Sequence, residues 1–198
     1  MVVDDRGQAH TLEAVVAGLL LLSSVIFALQ MTAVTPLSAS TSSQHIENQQ
    51  RSVARGVLAA AAERDSLKST ILYWNDTEGE FHGVSSIGYY TGDPPDTTFG
   101  GMLERTFDQR GISYNVYLVF ETPAGDQKRK RLVYRGVPSD NAVVAARTVT
   151  LTDFDPLYRQ NGRANHSAPL NDSTSFYISD VGGAVYNVVR VEVVAWRI

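Results

Sequence analysis

Residues that commonly carry out catalysis are few and scattered in this chain. It has no cysteine, and its histidines stand far apart, at His10, His45, His82 and His166. The sequence contains no GxSxG nucleophile motif, no P-loop and no dinucleotide-binding glycine motif. Without cysteine, a zinc site would need histidines and carboxylates at close spacing, which the chain does not supply. We therefore expect a protein that is not an enzyme and that uses no metal or cofactor.

Two short polar motifs deserve an interpretation of their own. Ser139-Asp140-Asn141 matches one motif of the penicillin-binding enzymes, but the motifs that accompany it there are missing, so we predict a turn. Asp153 and Asp155, with Asn171 and Asp172, could offer oxygen ligands to Ca²⁺. The favoured interpretation of these four residues is a solvated acidic loop.

Three N-glycosylation sequons occur, and their acceptor residues are Asn75, Asn165 and Asn171. All three lie in segments that we predict to be loops. This placement is compatible with a head that lies outside the cell, and chance occurrence in loops rich in Asn and Asp is the alternative.

A long apolar span lies near the N-terminus. No charged residue occurs between Ala14 and Ile46, and a helix over Leu12–Val34 would be roughly 34 Å long at ~1.5 Å per residue, enough to cross a bilayer. The residues that we expect to form this stem are Leu19, Leu20, Leu21, Leu22, Val25, Phe27 and Pro36. A membrane helix is the favoured interpretation. A secretory signal cleaved near Ser38–Ser40 and a buried core helix are the alternatives.

Glu13 stands at the start of this span. A carboxylate at such a position is costly to place in a membrane and is a candidate functional residue. Its partner could be Arg6, about two helical turns away, or a free N-terminal amine made by proteolysis just upstream. The alternative is an interfacial glutamate solvated among lipid headgroups.

The N-terminal segment Asp4–Glu13, followed by an apolar helix, resembles the class III signal of archaeal type IV pilin-like proteins, and most closely those of haloarchaea. In that family a short charged leader ends in a basic residue and glycine, which Arg6 and Gly7 match. The resemblance implies cleavage among Arg6, Gly7, Gln8 and Ala9. A cut after Gln8 makes Glu13 the fifth mature residue, as in the family, and a cut after Gly7 makes it the sixth.

The same resemblance implies a function and partners. The protein is expected to be a major or minor pilin, or a pseudopilin, of a surface filament with a role in cell adhesion. Glu13 would set subunit register, and other pilin-like subunits, a prepilin peptidase, an assembly ATPase and a membrane platform would be partners. The alternative is a single-span membrane protein whose extracellular β-domain serves adhesion or envelope interaction without polymerising. Either way the head is expected outside the cell membrane.

The predicted organisation has four parts: a leader-like segment at 1–8, a transmembrane stem at 9–36, a kink followed by an amphipathic helix at 37–74, and a β-rich head at 75–198. The kink is expected at Pro36, which is followed by a run of Ser and Thr, and a short break or plain loop there stays open. The amphipathic helix is predicted over 44–74, because small or apolar residues recur every three or four positions. These residues are Ile46, Val53, Val57, Ala60, Ala61, Leu67 and Ile71.

The predicted head is mostly antiparallel sheet. A loop at 75–101 and a short helix at 102–110 precede strands at 112–121, 128–135, 141–152 and 185–198, with a polar loop at 153–174. Alternation places Ile112, Tyr114, Val116, Leu118 and Phe120 on one face. The expected fold class is therefore α+β, with a long hydrophobic helix that continues into an amphipathic helix packed on a meander of about four strands, as in type IV pilins.

Charge gives little support for a nucleic-acid partner. The formal net charge is −4, and the one basic run is Lys128–Arg131. On a strand this run would place two cations on each face, which favours a solvated or edge-protecting strand over a binding patch. We expect no contact with nucleic acid.

Overall fold

The computed structural model describes residues 5–84, 87–183 and 185–197, with side chains given outside 5–9 and 31–43. The fold is α+β, with an N-terminal apolar helix and an antiparallel sheet, as the sequence predicts. Contacts divide the chain between Ile46 and Glu47 into two compact units, and the second unit is called the head below. The helices are α1 (Asp5–Glu63), α2 (Ser66–Ile71) and α3 (Thr98–Thr106). The strands are β1 (Trp74–Asn75), β2 (Glu80–Phe81), β3 (Ile112–Glu121), β4 (Gln127–Val133), β5 (Val143–Leu151), β6 (Pro156–Tyr158), β7 (Ala164–Pro169) and β8 (Asn187–Arg197).

Helix α1 passes through Pro36 and the Ser/Thr run without an assigned break. A proline can bend a helix without ending it, so the kink expected at Pro36 stays a prediction. The side chain of Pro36 lies outside the described residues.

The end of α1 differs from the prediction of a helix over 44–74. The helix ends at Glu63, because Asp65 adopts the left-handed conformation with φ of 51°. Aspartate tolerates that conformation better than most residues. The Ser66 hydroxyl then donates to the Ala61 carbonyl at 2.9 Å and satisfies an acceptor that the helix end leaves unpaired. The prediction was therefore wrong beyond Glu63: α2 is a separate short helix, and Trp74 lies in β1.

The main sheet has four antiparallel strands, as predicted, but its order is β4-β3-β8-β5. The last strand in the chain therefore lies between two earlier strands, and the predicted meander is wrong. Strand β8 is rich in valine, so a position with a partner on both sides suits it. Strand β4, with four consecutive cations, lies at an edge, where charge discourages pairing with another chain.

The inner face of the sheet builds the core of the head. The alternation predicted for β3 is confirmed, and β8 follows the same pattern; the inward residues of both strands are at most 6 % exposed. These residues are Ile112, Tyr114, Val116, Leu118, Phe120, Val189, Val191, Val193 and Ala195. Three residues of α1 at helical spacing, Ala54, Leu58 and Ala61, join the same cluster. Ile46 was predicted in this stripe but is 46 % exposed.

Two small hairpins occur where the sequence predicts loops. Strands β1 and β2 pair within the predicted loop at 75–101, and β6 pairs with β7 within the predicted loop at 153–174. The predicted short helix is present as α3, which begins earlier, followed by a 3-10 turn over Asp108–Arg110. The hairpins position two of the three sequon asparagines, Asn75 and Asn165.

Candidate functional site

The N-terminal part of α1 has the properties of a membrane-crossing helix. Within the described residues, His10–Gln30 is the one stretch that meets the length and apolarity of a span, with 21 residues and a mean hydropathy of 2.4. It is called the apolar segment below. None of this stretch is buried within the structure, so it is not a core helix. Its length and composition fit a membrane anchor, or a signal sequence near the N-terminus.

Six of the seven predicted stem residues lie exposed on the apolar segment, and the side chain of the seventh, Pro36, lies outside the described residues. Leu20 and Leu21 are each 67 % exposed, and Leu19, Leu22, Val25 and Phe27 are similar. Two serines interrupt the segment, but the Ser23 hydroxyl donates to the Leu19 carbonyl at 2.7 Å and Ser24 donates to Leu21 at 2.8 Å. Because these hydroxyls bond within the helix, they add little to the cost of an apolar environment.

Glu13 is paired one helical turn away with His10. Glu13 Oε2 lies 3.8 Å from His10 Nδ1, and both side chains are 81 % exposed. Sequence reasoning missed this pair, although its i, i+3 spacing is a recognised signal. The side chains of Arg6, Gly7, Gln8 and Ala9 lie outside the described residues, so the Arg6 partnership and leader processing stay predictions.

Comparison with known families finds one family that covers both the apolar segment and the head. A family model matches residues 6–195, from within the predicted leader to the end of β8. The chain belongs to DUF7288, a family of unknown function. No curated protein and no solved structure matches it. The DUF7288 match covers both units, so the helix and the head are characteristic of the family together.

The basic strand of this DUF7288 chain is only partly solvated. Lys130 points to the inner face, where its ammonium nitrogen lies 5.4–5.7 Å from the ring centroids of Trp74, Phe81 and Tyr177. Burial lowers the pKa of Lys130. Strand β4 lies at an edge of the sheet, where the edge-protecting interpretation needs it, whereas a fully solvated strand is wrong for Lys130, which is partly buried.

On the outer face of the sheet, charges form a cross-strand ladder. Arg129 stacks on Tyr117, 3.5 Å from the ring centroid, and pairs with Glu192 at 3.1 Å. Arg190 pairs with the other oxygen of Glu192 at 2.8 Å. The cations of this ladder are thus bound within the head, which gives a nucleic-acid partner no support.

Another ion pair in the head was missed from the sequence. Arg135 forms a two-pronged pair with Asp108, in which Nη2 donates to Oδ2 at 2.9 Å. Arg135 also donates to the Tyr114 hydroxyl at 3.0 Å and to the Gly92 carbonyl at 2.9 Å. Burial raises the pKa of Tyr114. The cluster joins β3, the end of β4 and the loop at Gly92, and no local sequence pattern points to it.

A cleft of about 360 Å³ is lined by Tyr73, Tyr90 and His82, with Asp93 and Asp96. The Tyr90 hydroxyl donates to the His82 carbonyl at 2.5 Å, and the Tyr73 hydroxyl donates to the Gln160 carbonyl at 2.8 Å. Burial raises the pKa of both tyrosines, so their hydroxyls stay protonated and bonded to backbone.

The other polar motifs form bonds within the fold. The Ala142 amide donates to the Ser139 carbonyl at 3.0 Å, which confirms the turn predicted at Ser139–Asn141. The Asp155 carboxylate binds the Lys68 ammonium at 3.0 Å and accepts from the Thr152 amide at 2.7 Å. In the part of the chain that the structure describes, no group of three or more His, Asp or Glu residues is placed to hold a metal ion.

Proposed function

We propose that the protein is a structural subunit, a major or minor pilin or a pseudopilin, of an archaeal type IV pilus-like surface filament. The observation that carries the proposal is helix α1. Its N-terminal part is an exposed apolar segment, and its C-terminal part packs on the inner face of an antiparallel sheet through Ala54, Leu58 and Ala61. A filament subunit needs this combination, because one helix must serve both a shared apolar core and the head.

The exposed leucines need an environment that shields them from water. Fully burying one leucine side chain stabilises a structure by about 1.5–3 kcal/mol. A bilayer shields the segment before assembly, and neighbouring stems shield it in a filament. The subunit would therefore move between two apolar environments when it polymerises.

Glu13 would set the axial register between stems. An unpaired carboxylate is costly in an apolar core, so each stem is favoured only where Glu13 meets a cation. The free N-terminal amine of a neighbouring mature subunit is the partner that we propose. The weak contact with His10, at 3.8 Å between exposed side chains, leaves Glu13 available for that exchange.

A second candidate is a membrane-anchored extracellular β-domain that serves adhesion or envelope interaction without polymerising. It is supported by the length of the apolar segment: 21 residues at ~1.5 Å each match a bilayer core of about 30 Å on their own. The prepilin peptidase, assembly ATPase and membrane platform would be partners only in the filament case.

The two candidates are separated by intact mass and N-terminal sequence of the full chain, taken from native membranes and from sheared surface material. A start at Gln8 or Ala9 in the sheared fraction supports a processed filament subunit. A start at Met1 or Val2, with the protein confined to membranes, contradicts polymerisation and supports the anchored domain.

A matched pair of variants tests the register role. Glu13→Gln should keep membrane insertion but lose incorporation into sheared filaments. Glu63→Gln changes an exposed glutamate at the far end of the same helix and should leave both unchanged. Equal incorporation of the two variants would exclude Glu13 as a register residue.

A further inference from the structure

Two of the three sequons lie side by side although they are far apart in the chain. Asp76, the middle residue of the first sequon (75–77), accepts a hydrogen bond from the hydroxyl of Ser173, the last residue of the third sequon (171–173). The same Asp76 oxygen accepts from Ser175 at 2.8 Å, and hydrogen bonding to Ser173 lowers the pKa of Asp76. The β1–β2 hairpin and the segment after β7 are therefore fixed to each other at this point.

The second sequon (165–167) lies next to the first one. Asn165 and Asn75 line the same shallow depression of about 190 Å³, together with Asp76, Tyr158 and Arg159. Asn165 lies on β7 opposite Leu157 of β6, and its Oδ1 accepts from Arg159 Nη2 at 2.7 Å. All three sequons of the chain thus converge on one surface of the head, which is called the sequon face below.

The acceptor residues on this face reach solvent, and side-chain hydrogen bonds hold Asn75 and Asn165 in place. Asn75 forms an Asx turn, in which its Oδ1 accepts from the amides of Thr77 at 3.1 Å and Glu78 at 3.3 Å, and its Nδ2 donates to the Glu78 carboxylate at 2.7 Å. Asn171 is exposed on a 3-10 turn, and Asn75 and Asn165 are partly exposed. A sugar on any of them would extend into solvent without displacing the core.

We propose that the sequon face is a site of N-glycosylation, where up to three glycans cover one side of the head. The donor would be a phosphate-linked oligosaccharide, and a transferase would catalyse the transfer. The Asn Nδ2 forms a bond to the anomeric carbon, the bond from that carbon to the phosphate oxygen breaks, and its electron pair leaves with the phosphate. One Nδ2 proton passes to a base of the transferase, so the reaction is balanced without oxidant or reductant.

The proposal leaves the outer face of the main sheet free of glycans. That face carries the Arg129–Glu192–Arg190 ladder and half-exposed valines, including Val144 and Val188, and no sequon lies on it. The glycosylation proposal rests on the extracellular head that both candidate functions share. Its test therefore includes a separate readout of where the head lies.

The test uses the full chain isolated from membranes of its native host. Glycopeptide mass spectrometry measures occupancy at each sequon, and protease treatment of intact cells measures exposure of the head. Each variant removes a sequon and spares the bonds around it. Thr77→Val keeps the Asn75 turn, Ser167→Ala keeps the Asn165 contact with Arg159, and Asn171→Gln keeps the Ser173 hydroxyl bonded to Asp76.

We expect the peptides containing Asn75, Asn165 and Asn171 to carry oligosaccharide, and each variant to lose the glycan of its own sequon only. Thr148→Asn is the matched control, because it makes 148–150 a sequon on exposed positions of the outer face of β5. The glycosylation proposal alone is overturned if the head is cleaved on intact cells while all three natural sequons are unmodified. This result is clearest if the introduced sequon at 148 is occupied, because the host then glycosylates the head at a different face. A head that is protected from protease while all three sequons are unmodified overturns the extracellular location in the proposed function as well.

Discussion

The ammonium nitrogen of Lys130 lies 5.5 Å from the ring centroid of Trp74, a side chain only 4 % exposed. A cation over aromatic faces gains some attraction, but burial lowers the pKa of Lys130, so the site as a whole disfavours the charged form. The folded chain then binds fewer protons than the unfolded chain between the lowered pKa and about 10.5. The free energy of unfolding should therefore rise with pH in that window.

Lys130→Met tests this relationship. Methionine fills similar volume without the charge, so stability at pH 7 should be unchanged or higher by up to about 1 kcal/mol, and the rise with pH should flatten. Chemical denaturation of the full chain in detergent, followed by tryptophan fluorescence from pH 7 to 10, measures both. Lys128→Met is the control, since Lys128 is exposed on the same strand. A large loss of stability in Lys130→Met alone would show that the cation–aromatic contact outweighs desolvation.

For Tyr114 we expect the opposite trend at higher pH, a free energy of unfolding that falls as pH rises. Burial raises its pKa, and the same holds for Tyr90. Both groups keep their protons in the fold at a pH where the unfolded chain loses them. The stability that they contribute is complete below pH 10, the ordinary tyrosine value, and is lost as pH rises through the raised pKa. Unfolding curves should show a steady fall in stability above about pH 10.

Tyr114→Phe should reduce that fall and should cost about 1 kcal/mol below pH 10, because the hydroxyl loses its bonds to Arg135 and Asp108. Tyr90→Phe should flatten the alkaline slope independently, since Tyr90 bonds the His82 carbonyl. An alkaline slope identical in wild type and both variants would contradict the assignment to these two tyrosines.

The segments that the sequence predicts well are those with a strong hydrophobic pattern. The bounds predicted for β3, 112–121, are confirmed, because five alternating apolar residues leave one interpretation of that segment. The apolar segment is equally clear from composition. Strands β1 and β2 have two residues each, too few for any alternation, and Asp65 ends α1 through a backbone conformation that periodicity does not encode.

Contacts between distant segments could not be predicted. The position of β8 between β3 and β5 depends on how whole strands pack, and the usual assumption that neighbours in sequence pair in the sheet gave the wrong order. The pairing of Arg135 with Asp108 and that of Ser173 with Asp76 also join residues on different elements. The sequons were visible as motifs, but their convergence on one face required the fold.

Arg135 should be the charged residue whose loss the head tolerates least. Its pair with Asp108 is two-pronged and mostly buried, with 19 % and 25 % of the two side chains exposed. Arg135→Met leaves the Asp108 carboxylate without its cation, which should cost about 2–3 kcal/mol, less than for a fully buried pair. Arg190→Met removes a half-exposed partner of Glu192 and should cost at most about 1 kcal/mol. Equal losses in thermal or denaturant unfolding would contradict this ranking.

Cations placed in the middle of the apolar segment should remove the chain from membranes. Leu20 and Leu21 are each 67 % exposed and lie near the centre of His10–Gln30, where an arginine costs about 2.5–3.5 kcal/mol on an insertion scale. The double variant Leu20→Arg, Leu21→Arg should therefore move from the carbonate-resistant membrane pellet to the soluble fraction. Gln49→Arg adds a cation at an exposed position of α1 outside the segment and should stay in the pellet. Retention of the double variant would mean that the apolar segment is not what holds the protein in the membrane.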